Sequence, residues 1–288
     1  MVLWGVLPLG LKVSLASMDA YTITWYRFLL SALLGGGVLA YRRRLPSPAS
    51  LSRTVWGLLA VATTFLAANY ILYLLGLQYT TPANSQVLIQ LAPVLLAFGG
   101  LWVFEERFTR LQWLGFAVLV VGLATFFRDQ VAMTGGDSGE YRFGSVLMVL
   151  AAATWAVYGL AQKQLLRWLP SQAIMVCIYI GCTVLFAPLS TPGRLLALDA
   201  AGVGVLLFCA LNTLVAYGTF AEALAHWEAS RVAAVLALTP LMTLLFAAAA
   251  NAVWPRLPVA ASISRVGFVG VGLVVGGALL TALGQRRG

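Results

Sequence analysis

The sequence predicts an all-α integral membrane protein with ten transmembrane helices, arranged as two five-helix repeats of inverted topology. Of its 288 residues, 61% are hydrophobic and only 9% are charged, whereas soluble domains carry about 25% charged residues. Apolar runs of roughly 20 residues, the length that crosses a bilayer, recur along the chain. Residue spacings found in the first half return in the second half, which predicts the repeat.

Ten apolar runs between polar breaks define the predicted spans. In lipid each run must be helical, because a helix satisfies its own backbone polar groups. The first run is interpreted as a membrane helix and not a signal peptide, since no basic n-region or small-residue cleavage site precedes Asp19. The predicted spans are residues 2–17, 21–41, 54–77, 82–103, 110–127, 143–167, 171–190, 201–224, 229–251 and 265–284.

Several breaks carry the chemistry that starts helices. Thr81 followed by Pro82 offers a capping hydroxyl and a proline at the first helical position. Thr109 with Gln112 predicts a capping box. The longest polar linker, residues 131–142, separates two predicted domains, a first repeat over residues 1–130 and a second over residues 143–288.

The net charge of +9 comes mostly from Lys and Arg in short gaps between spans. Nucleic-acid binding would instead need a basic face on a folded domain. The positive-inside rule favours both termini in the cytoplasm, because this orientation puts more basic residues inside than outside. The inner residues are then Arg42, Arg43, Arg44, Arg53, Arg107, Arg110, Lys163, Arg167, Arg231, Arg286 and Arg287, and the outer ones are Arg128, Arg142, Arg194, Arg256 and Arg265.

Three pairs of residue spacings recur in the same order in the two halves. Because five spans is an odd number, the second half must insert upside down relative to the first. Inverted repeats are a recurring transporter architecture with the solute site near mid-membrane, although a channel or a membrane enzyme can also be a repeat protein. The recurring pairs are Trp4 and Lys12 with Trp155 and Lys163, Tyr70 and Pro93 with Tyr217 and Pro240, and Gly115 and Gly122 with Gly270 and Gly277.

A set of short motifs along the chain resembles a known family. The motifs are Trp4-Gly5 with Lys12, Arg27-Phe28, Ala92-Pro93, and Glu106-Arg107 leading to Gln112-Trp113-Leu114-Gly115. On these residues the chain resembles the EamA-type transporters of the drug/metabolite transporter (DMT) superfamily, and within them the YddG-type exporters of aromatic amino acids. The resemblance implies export from a bacterial cytoplasm through the inner membrane. The family's usual acidic residue is missing around residues 252–255.

Polar and aromatic side chains at mid-span positions are candidates for lining a solute cavity. Aromatic faces suit flat or cationic solutes, and amides bind amino and carboxylate groups without carrying charge. Span nine has alanines where span four has Gln86 and Gln90, so the fold does not require this polar stripe. The alternative interpretation is helix packing through amides and hydroxyls. The candidate substrate-binding residues are Trp4, Asn69, Tyr70, Tyr73, Gln86, Gln90, Trp155, Tyr158, Asn212 and Tyr217.

Prolines and charges inside the spans supply further candidates. Pro93 and Pro240 each remove a backbone hydrogen bond, so they predict either hinges or static kinks. Arg27 is a candidate ion-pair partner of Asp19 near the outer surface. Charged groups are costly in a membrane, and those considered for proton or charge roles are Lys12, Arg27, Lys163, Glu222 and His226. Snorkelling of Lys163 and a water-facing Glu222–His226 pair are the alternatives.

These patterns favour a transporter that exports small amphipathic metabolites, above all aromatic amino acids, by alternating access. Export of other cationic or aromatic metabolites or drugs is the alternative, and a multi-pass enzyme acting on lipid is the weaker one. We expect no enzymatic activity, no metal and no cofactor, because His226 lacks further ligands and the three cysteines lie in apolar runs. The expected partners are the bilayer and a small solute. The Gly272–Gly276 spacing suggests internal helix packing or a dimer face, hence a monomer or weak dimer.

Overall fold

The computed structural model of the protein describes residues 1–47, 51–103, 109–133, 139–226, 235–236, 238–253 and 263–283. Regular structure in these ranges is entirely helical, which confirms the predicted all-α class. The helices are α1 (Val2–Ser14), α2 (Ala20–Tyr41), α3 (Arg53–Tyr79), α4 (Pro82–Leu88), α5 (Leu91–Val103), α6 (Arg110–Met133), α7 (Gly139–Leu165), α8 (Ser171–Phe186), α9 (Ala200–His226), α10 (Thr239–Val253) and α11 (Arg265–Leu283). Two 3-10 helices, Ala187–Leu189 and Pro192–Ala197, connect α8 to α9.

Seven helical stretches of the described chain are long and apolar enough to cross a membrane. They comprise α2, α3, α4 together with most of α5, α6, α7, α8 with the turn after it, and α9. The apolar helices α1, α10 and α11 are shorter. All of these helices coincide with predicted spans, and the number of ten crossing helices stays a prediction.

The helix starts follow the capping chemistry of the sequence. Thr81 Oγ1 accepts a hydrogen bond from the Asn84 backbone N–H at 3.2 Å, so the cap predicted at the start of α4 is confirmed. The capping box is also confirmed. The Thr109 N–H donates to Gln112 Oε1 at 2.8 Å, and the Gln112 N–H donates to Thr109 Oγ1 at 3.2 Å. These bonds satisfy backbone donors that a helix N-terminus otherwise leaves free.

The predicted fourth span, residues 82–103, is not one continuous helix. It breaks between Leu88 and Leu91 into α4 and α5. Pro93 explains the break, because it has no N–H for the carbonyl of Ile89 and its ring clashes with that carbonyl. The predicted ninth span has a related feature, since α10 starts at Thr239 beside Pro240. Most of the first part of that span, including Ala233 and Ala237, lies outside the described residues.

The predicted polar linker over residues 131–142 is helical at both of its ends. Helix α6 continues to Met133, and α7 begins at Gly139. Residues 134–138 lie outside the described part of the chain. These helices of 24 and 27 residues extend beyond their apolar stretches into the polar flanks.

Two antiparallel helix pairs form the most extensive contacts of the fold, α6 with α11 and α3 with α7. Glycines bring the first pair together: a Cβ on Gly122 would lie 2.6 Å from the Val274 backbone nitrogen, and one on Gly270 would lie 2.8 Å from that of Phe126. By contrast, a Cβ on Gly272 or Gly276 would meet nothing within 4 Å. The expectation that the latter two pack inside the protein is therefore wrong, because they lie on the opposite face of α11.

Candidate functional site

A cavity of about 100 Å³ lies among helices from both halves of the chain. A water molecule needs about 10–15 Å³ of such space, so several waters or part of a small solute fit. Eight of the ten candidate substrate-binding side chains line it: Trp4, Asn69, Tyr70, Tyr73, Gln86, Gln90, Trp155 and Tyr217. The remaining wall consists of Leu7, Leu11, Arg27, Leu74, Ile89, Ala92, Pro93, Leu236 and Thr239.

Aromatic rings from five helices form a connected group at this cavity. The ring of Trp4 meets that of Tyr217 edge-on, with centroids 5.2 Å apart. Tyr217 in turn lies 5.5 Å from Tyr70, and Tyr70 lies 4.4 Å from Phe28. Trp155 joins the group through Phe220, with centroids 5.4 Å apart. Such contacts hold the rings in fixed orientations, so that faces and edges are already positioned for a flat solute.

Two glutamines of the cavity bond to carbonyls that prolines leave without a helical donor. Gln86 Nε2 donates to the Trp4 carbonyl oxygen at 2.8 Å. Gln90 Nε2 is 3.4 Å from the Leu236 carbonyl oxygen. Trp4 lies four residues before Pro8, and Leu236 lies four residues before Pro240, so neither carbonyl can receive the usual bond. The amide nitrogens thus tie α4 and its C-terminal turn to segments that precede prolines elsewhere in the chain.

The other amide candidates also link helices. Asn69 Nδ2 donates to the Ala151 carbonyl oxygen at 2.8 Å, which joins α3 to α7. Asn212 Nδ2 donates to the Leu3 carbonyl oxygen at 2.7 Å, which joins α9 to α1. Asn212 does not line the cavity, and neither does Tyr158, whose buried hydroxyl lies 3.5 Å from the sulfur of Met175. These contacts are the packing interactions that the alternative interpretation anticipated.

Arg27 lies deep in the protein and contributes to the cavity wall. It is 2% exposed. Its Nε donates to Thr213 Oγ1 at 2.9 Å, and its Cζ lies 4.4 Å from the ring centroid of Tyr70. The expected ion pair of Arg27 with Asp19 is therefore wrong.

Asp19 has other partners at the N-terminus of α2. Its carboxylate accepts bonds from the Thr22 N–H at 2.9 Å and from the hydroxyls of Thr22 at 2.8 Å and Thr191 at 3.2 Å. Arg194 approaches to 4.0 Å. Burial raises the pKa of Asp19, but the bonds from Thr22 and Thr191 outweigh it, so the pKa lies below the ordinary carboxyl value.

Lys12 caps the C-terminal end of α3. Its Nζ donates to the carbonyl oxygens of Leu77 at 2.8 Å, Gln78 at 3.0 Å and Thr80 at 2.8 Å. These carbonyls belong to the last turn of a helix and the residue after it, where no further helical N–H is available and a cation is favourable. All three ammonium hydrogens therefore have acceptors, which gives Lys12 a structural role in this conformation.

The remaining charged candidates line a second cavity of about 530 Å³. Glu222 accepts a bond from the Ser171 hydroxyl at 2.6 Å, and His226 Nδ1 lies 3.6 Å from its carboxylate. The predicted proximity of Glu222 and His226 is therefore confirmed. Both side chains are largely exposed. Lys163 borders the same space, and none of the three lines the central cavity.

Sequence reasoning missed several residues of the central cavity. Thr239 is buried, and its Oγ1 has no hydrogen-bond partner among the described residues. Its position directly before Pro240 was the available signal. Leu236 and Ile89 enter the wall for a related reason, since each lies four residues before a proline at a helix break. Of the proposed hinges, Pro93 lines the cavity and Pro240 does not.

Apolar helices of membrane-crossing length around an aromatic and polar cavity define the class of a multi-pass membrane transport protein. The sequence profile of the EamA-like transporter family matches residues 1–128 and 142–283. The chain therefore belongs to the EamA-like transporter family, within the DMT superfamily.

Individual proteins agree with this assignment. The chain is 38% identical over 286 residues to "Uncharacterized inner membrane transporter YhbE" of Escherichia coli K12, covering 99% of this chain and 89% of that protein. It is 24% identical over 265 residues to "Probable amino-acid metabolite efflux pump" of Salmonella typhimurium, covering 86% and 83%. A crystal structure at 19% identity superposes with a TM-score of 0.68 over 99% of this chain and 95% of the other, which shows the shared fold.

Proposed function

We propose that the protein exports small amphipathic metabolites, with aromatic amino acids as the preferred cargo, by alternating access through the central cavity. One observation carries the proposal: aromatic rings from both halves of the chain and side-chain amides from the first half converge on one cavity. Ring faces and edges complement an aromatic side chain, and neutral polar groups complement an amino acid backbone without binding it too tightly for release.

The related proteins support the direction and the location. A relative of this chain is named an amino-acid metabolite efflux pump, and another is named an inner membrane transporter. We infer for this chain the inner membrane of a bacterium, with both termini in the cytoplasm as the distribution of Lys and Arg favours. The candidate partners are the lipid bilayer and the solute, with the protein acting as a monomer or weak dimer.

We infer further that ten spans form two five-helix repeats of opposite orientation, over residues 1–130 and 143–288. The family profile matches two separate segments of similar length. Two asparagines support the relation, because Asn69 and Asn212 each join the third helix of one half to the first helix of the other. The fourth span of the first half is interrupted near Pro93, and in the second half α10 starts beside Pro240.

Alternating access then follows from rearrangement of one half against the other around the cavity. The breaks beside Pro93 and Pro240 are the proposed hinges, because a helix already interrupted there bends at little further cost. The bond from Gln90 to the Leu236 carbonyl oxygen crosses between the two halves, so we expect it to exchange or lengthen during the cycle.

Cationic or aromatic metabolites and drugs are the second candidate cargo, since aromatic rings also attract cations. A lipid-modifying membrane enzyme is a weaker candidate, because the sequence offers no convincing set of intramembrane acid, base or metal groups.

The test is transport by the purified full-length protein in proteoliposomes. Liposomes loaded with unlabelled tryptophan should accumulate labelled tryptophan by exchange, whereas liposomes loaded with leucine or with a quaternary ammonium compound should accumulate much less. Equal exchange with the quaternary ammonium compound would favour the second candidate. No protein-dependent movement of tryptophan, phenylalanine or tyrosine would contradict the proposal.

A further inference from the structure

We propose that Arg27 is the carboxylate-binding residue of the transport site and that Gln90 accepts a hydrogen bond from the ammonium group of the same solute. The inference deepens the proposed function and rests on it. It names the substrate class more narrowly: zwitterionic amino acids carrying an aromatic side chain, rather than aromatic amines or cationic drugs.

The first argument is the charge balance of the cavity. Arg27 is 2% exposed and lines the cavity wall. No carboxylate of the described residues lies within 4 Å of its guanidinium, since Asp19 is committed to the α2 cap and approaches Arg194. A cation at this depth is costly, and such residues usually pair with another group or mark a substrate path. An anionic group of the solute would supply that pairing.

The second argument is the unused hydrogen-bonding capacity of Arg27. A guanidinium has five N–H donors in a planar fork that matches a carboxylate. In the described part of the protein only Nε has an acceptor, Thr213 Oγ1 at 2.9 Å. The guanidinium carbon lies 4.4 Å from the Tyr70 ring centroid, so the fork is held between a hydroxyl and an aromatic face. This leaves the two terminal nitrogens for a ligand.

The third argument is the acceptor on Gln90. This side chain is buried and lines the same cavity. Its Nε2 points at the Leu236 carbonyl oxygen, whereas its Oε1 has no hydrogen-bond partner among the described residues. A buried amide oxygen without a donor is unusual. It is suited to an ammonium N–H, because it offers an acceptor without a formal charge that would neutralise Arg27.

Together these groups discriminate solutes by their charged ends, while the rings of Trp4 and Tyr217 bind the side chain. A single arginine also limits the cargo to about one anionic charge. An aromatic amine would bring its cation near the guanidinium with no compensating carboxylate. An aromatic acid without an amino group would satisfy Arg27 and leave Gln90 Oε1 unpartnered.

The test is a competition series on the full-length protein in proteoliposomes, with labelled tryptophan as the probe. The competitors are tryptophan, tryptamine, which lacks the carboxylate, and indole-3-propionate, which lacks the ammonium group. For the wild-type protein we expect tryptamine to compete roughly 10- to 100-fold more weakly than tryptophan, as expected for loss of a charge-assisted hydrogen bond. Indole-3-propionate should fall between them.

Two variants separate the contributions. Arg27→Gln should weaken competition by tryptophan and by indole-3-propionate but not competition by tryptamine, so the preference for a carboxylate disappears. Gln90→Leu should weaken competition by tryptophan and leave competition by indole-3-propionate unchanged. The matched control is Arg44→Gln, a change at an exposed arginine that does not line the central cavity. In this variant the three competitors should keep their wild-type order of potency.

Competition by the three compounds on the wild-type protein tests the role of Arg27 even if a variant fails to fold. Equal competition by tryptophan and tryptamine would overturn the role of Arg27 while leaving tryptophan transport intact. A preference for carboxylates that persists in Arg27→Gln would overturn it too. No binding or movement of tryptophan by the wild-type protein would overturn the proposed function and this inference together.

Discussion

The side-chain amide nitrogen of Gln86 lies 2.8 Å from the backbone carbonyl oxygen of Trp4 and donates a hydrogen bond to it. Pro8, one turn further along α1, cannot supply the helical N–H that this carbonyl would otherwise receive. A side chain of the fourth span thus completes the backbone hydrogen bonding of the first. The same device joins Gln90 to Leu236, four residues before Pro240. The polar wall of the cavity therefore also satisfies backbone carbonyls that prolines leave without a helical donor.

Removal of the Gln86 amide should destabilise the protein by leaving the Trp4 carbonyl unsatisfied. We expect Gln86→Leu to lower the free energy of unfolding by about 1–3 kcal/mol, measured by denaturation in mixed detergent micelles. Pro8→Ala restores an N–H to position 8, so the loss from Gln86→Leu should be smaller in that background. Gln172→Leu on the exposed face of α8 is the control and should change little. Additive effects of Pro8→Ala and Gln86→Leu would contradict this interpretation.

Alanine should be harmful at glycines where α6 contacts α11 and tolerated at glycines on the opposite face of α11. Gly122→Ala places a methyl group 2.6 Å from the Val274 backbone nitrogen, so it should lower the unfolding free energy by about 1–3 kcal/mol through overpacking. Gly276→Ala on the other face of α11 meets nothing within 4 Å and should be neutral or slightly stabilising. Unfolding of both variants in detergent measures the difference. The account fails here if Gly276→Ala is the more damaging change.

Lys12 should matter for the end of α3 more than for proton movement. Lys12→Met removes a donor from three carbonyl oxygens, of Leu77, Gln78 and Thr80. We expect a loss of about 1–3 kcal/mol and faster amide hydrogen exchange in the last turn of α3. Arg53→Met, an exposed change at the other end of the same helix, is the control. Unchanged exchange at the C-terminus of α3 in Lys12→Met would refute the capping role.

The Asp19 carboxylate should make stability depend on pH in the acidic range. Because its pKa is lowered in the folded protein, chiefly by bonds from Thr22 and Thr191 that outweigh burial, the charged form stabilises the fold. This contribution is complete above the ordinary carboxyl pKa of about 4 and is lost as pH falls through the lower folded value. Asp19→Asn keeps a capping oxygen. Its melting temperature should therefore lie below the wild-type value at pH 7, and the gap should narrow as pH falls below the ordinary carboxyl pKa. A gap that does not change with pH would be inconsistent with this role.

Much of the fold could be predicted because lipid imposes strong rules on sequence. Apolar runs bounded by Thr81-Pro82 and by Thr109 with Gln112 gave helices close to the expected bounds. The break in the fourth span was harder to predict, because a mid-span proline bends some helices and interrupts others. The roles of Gly272 and Gly276 depend on which face of α11 meets α6, and a spacing of four residues does not encode that choice.

The candidate site was predictable in composition but not in its hydrogen bonds. Rings and amides at mid-span positions converge on the cavity because few other places in a bundle accept them. Whether Gln86 binds a solute or a kinked helix depends on its distance from Trp4, which lies 82 positions away in the chain. The burial of Arg27 likewise follows from the packing of α2 against Thr213 and Tyr70, which the position of Arg27 within an apolar run does not indicate.

Protection of one cavity position by the solute tests the central claim most directly. Ile89 lines the cavity and is half-buried, so Ile89→Cys should react with a small thiol reagent in proteoliposomes. The partly exposed Cys177 is first removed by Cys177→Ala, and the remaining Cys182 and Cys209 are buried, which keeps the background rate low. We predict that excess tryptophan slows modification of Ile89→Cys, that leucine does so much less, and that neither affects Leu45→Cys outside the helices. Equal modification of Ile89→Cys with and without tryptophan would contradict a solute site in this cavity.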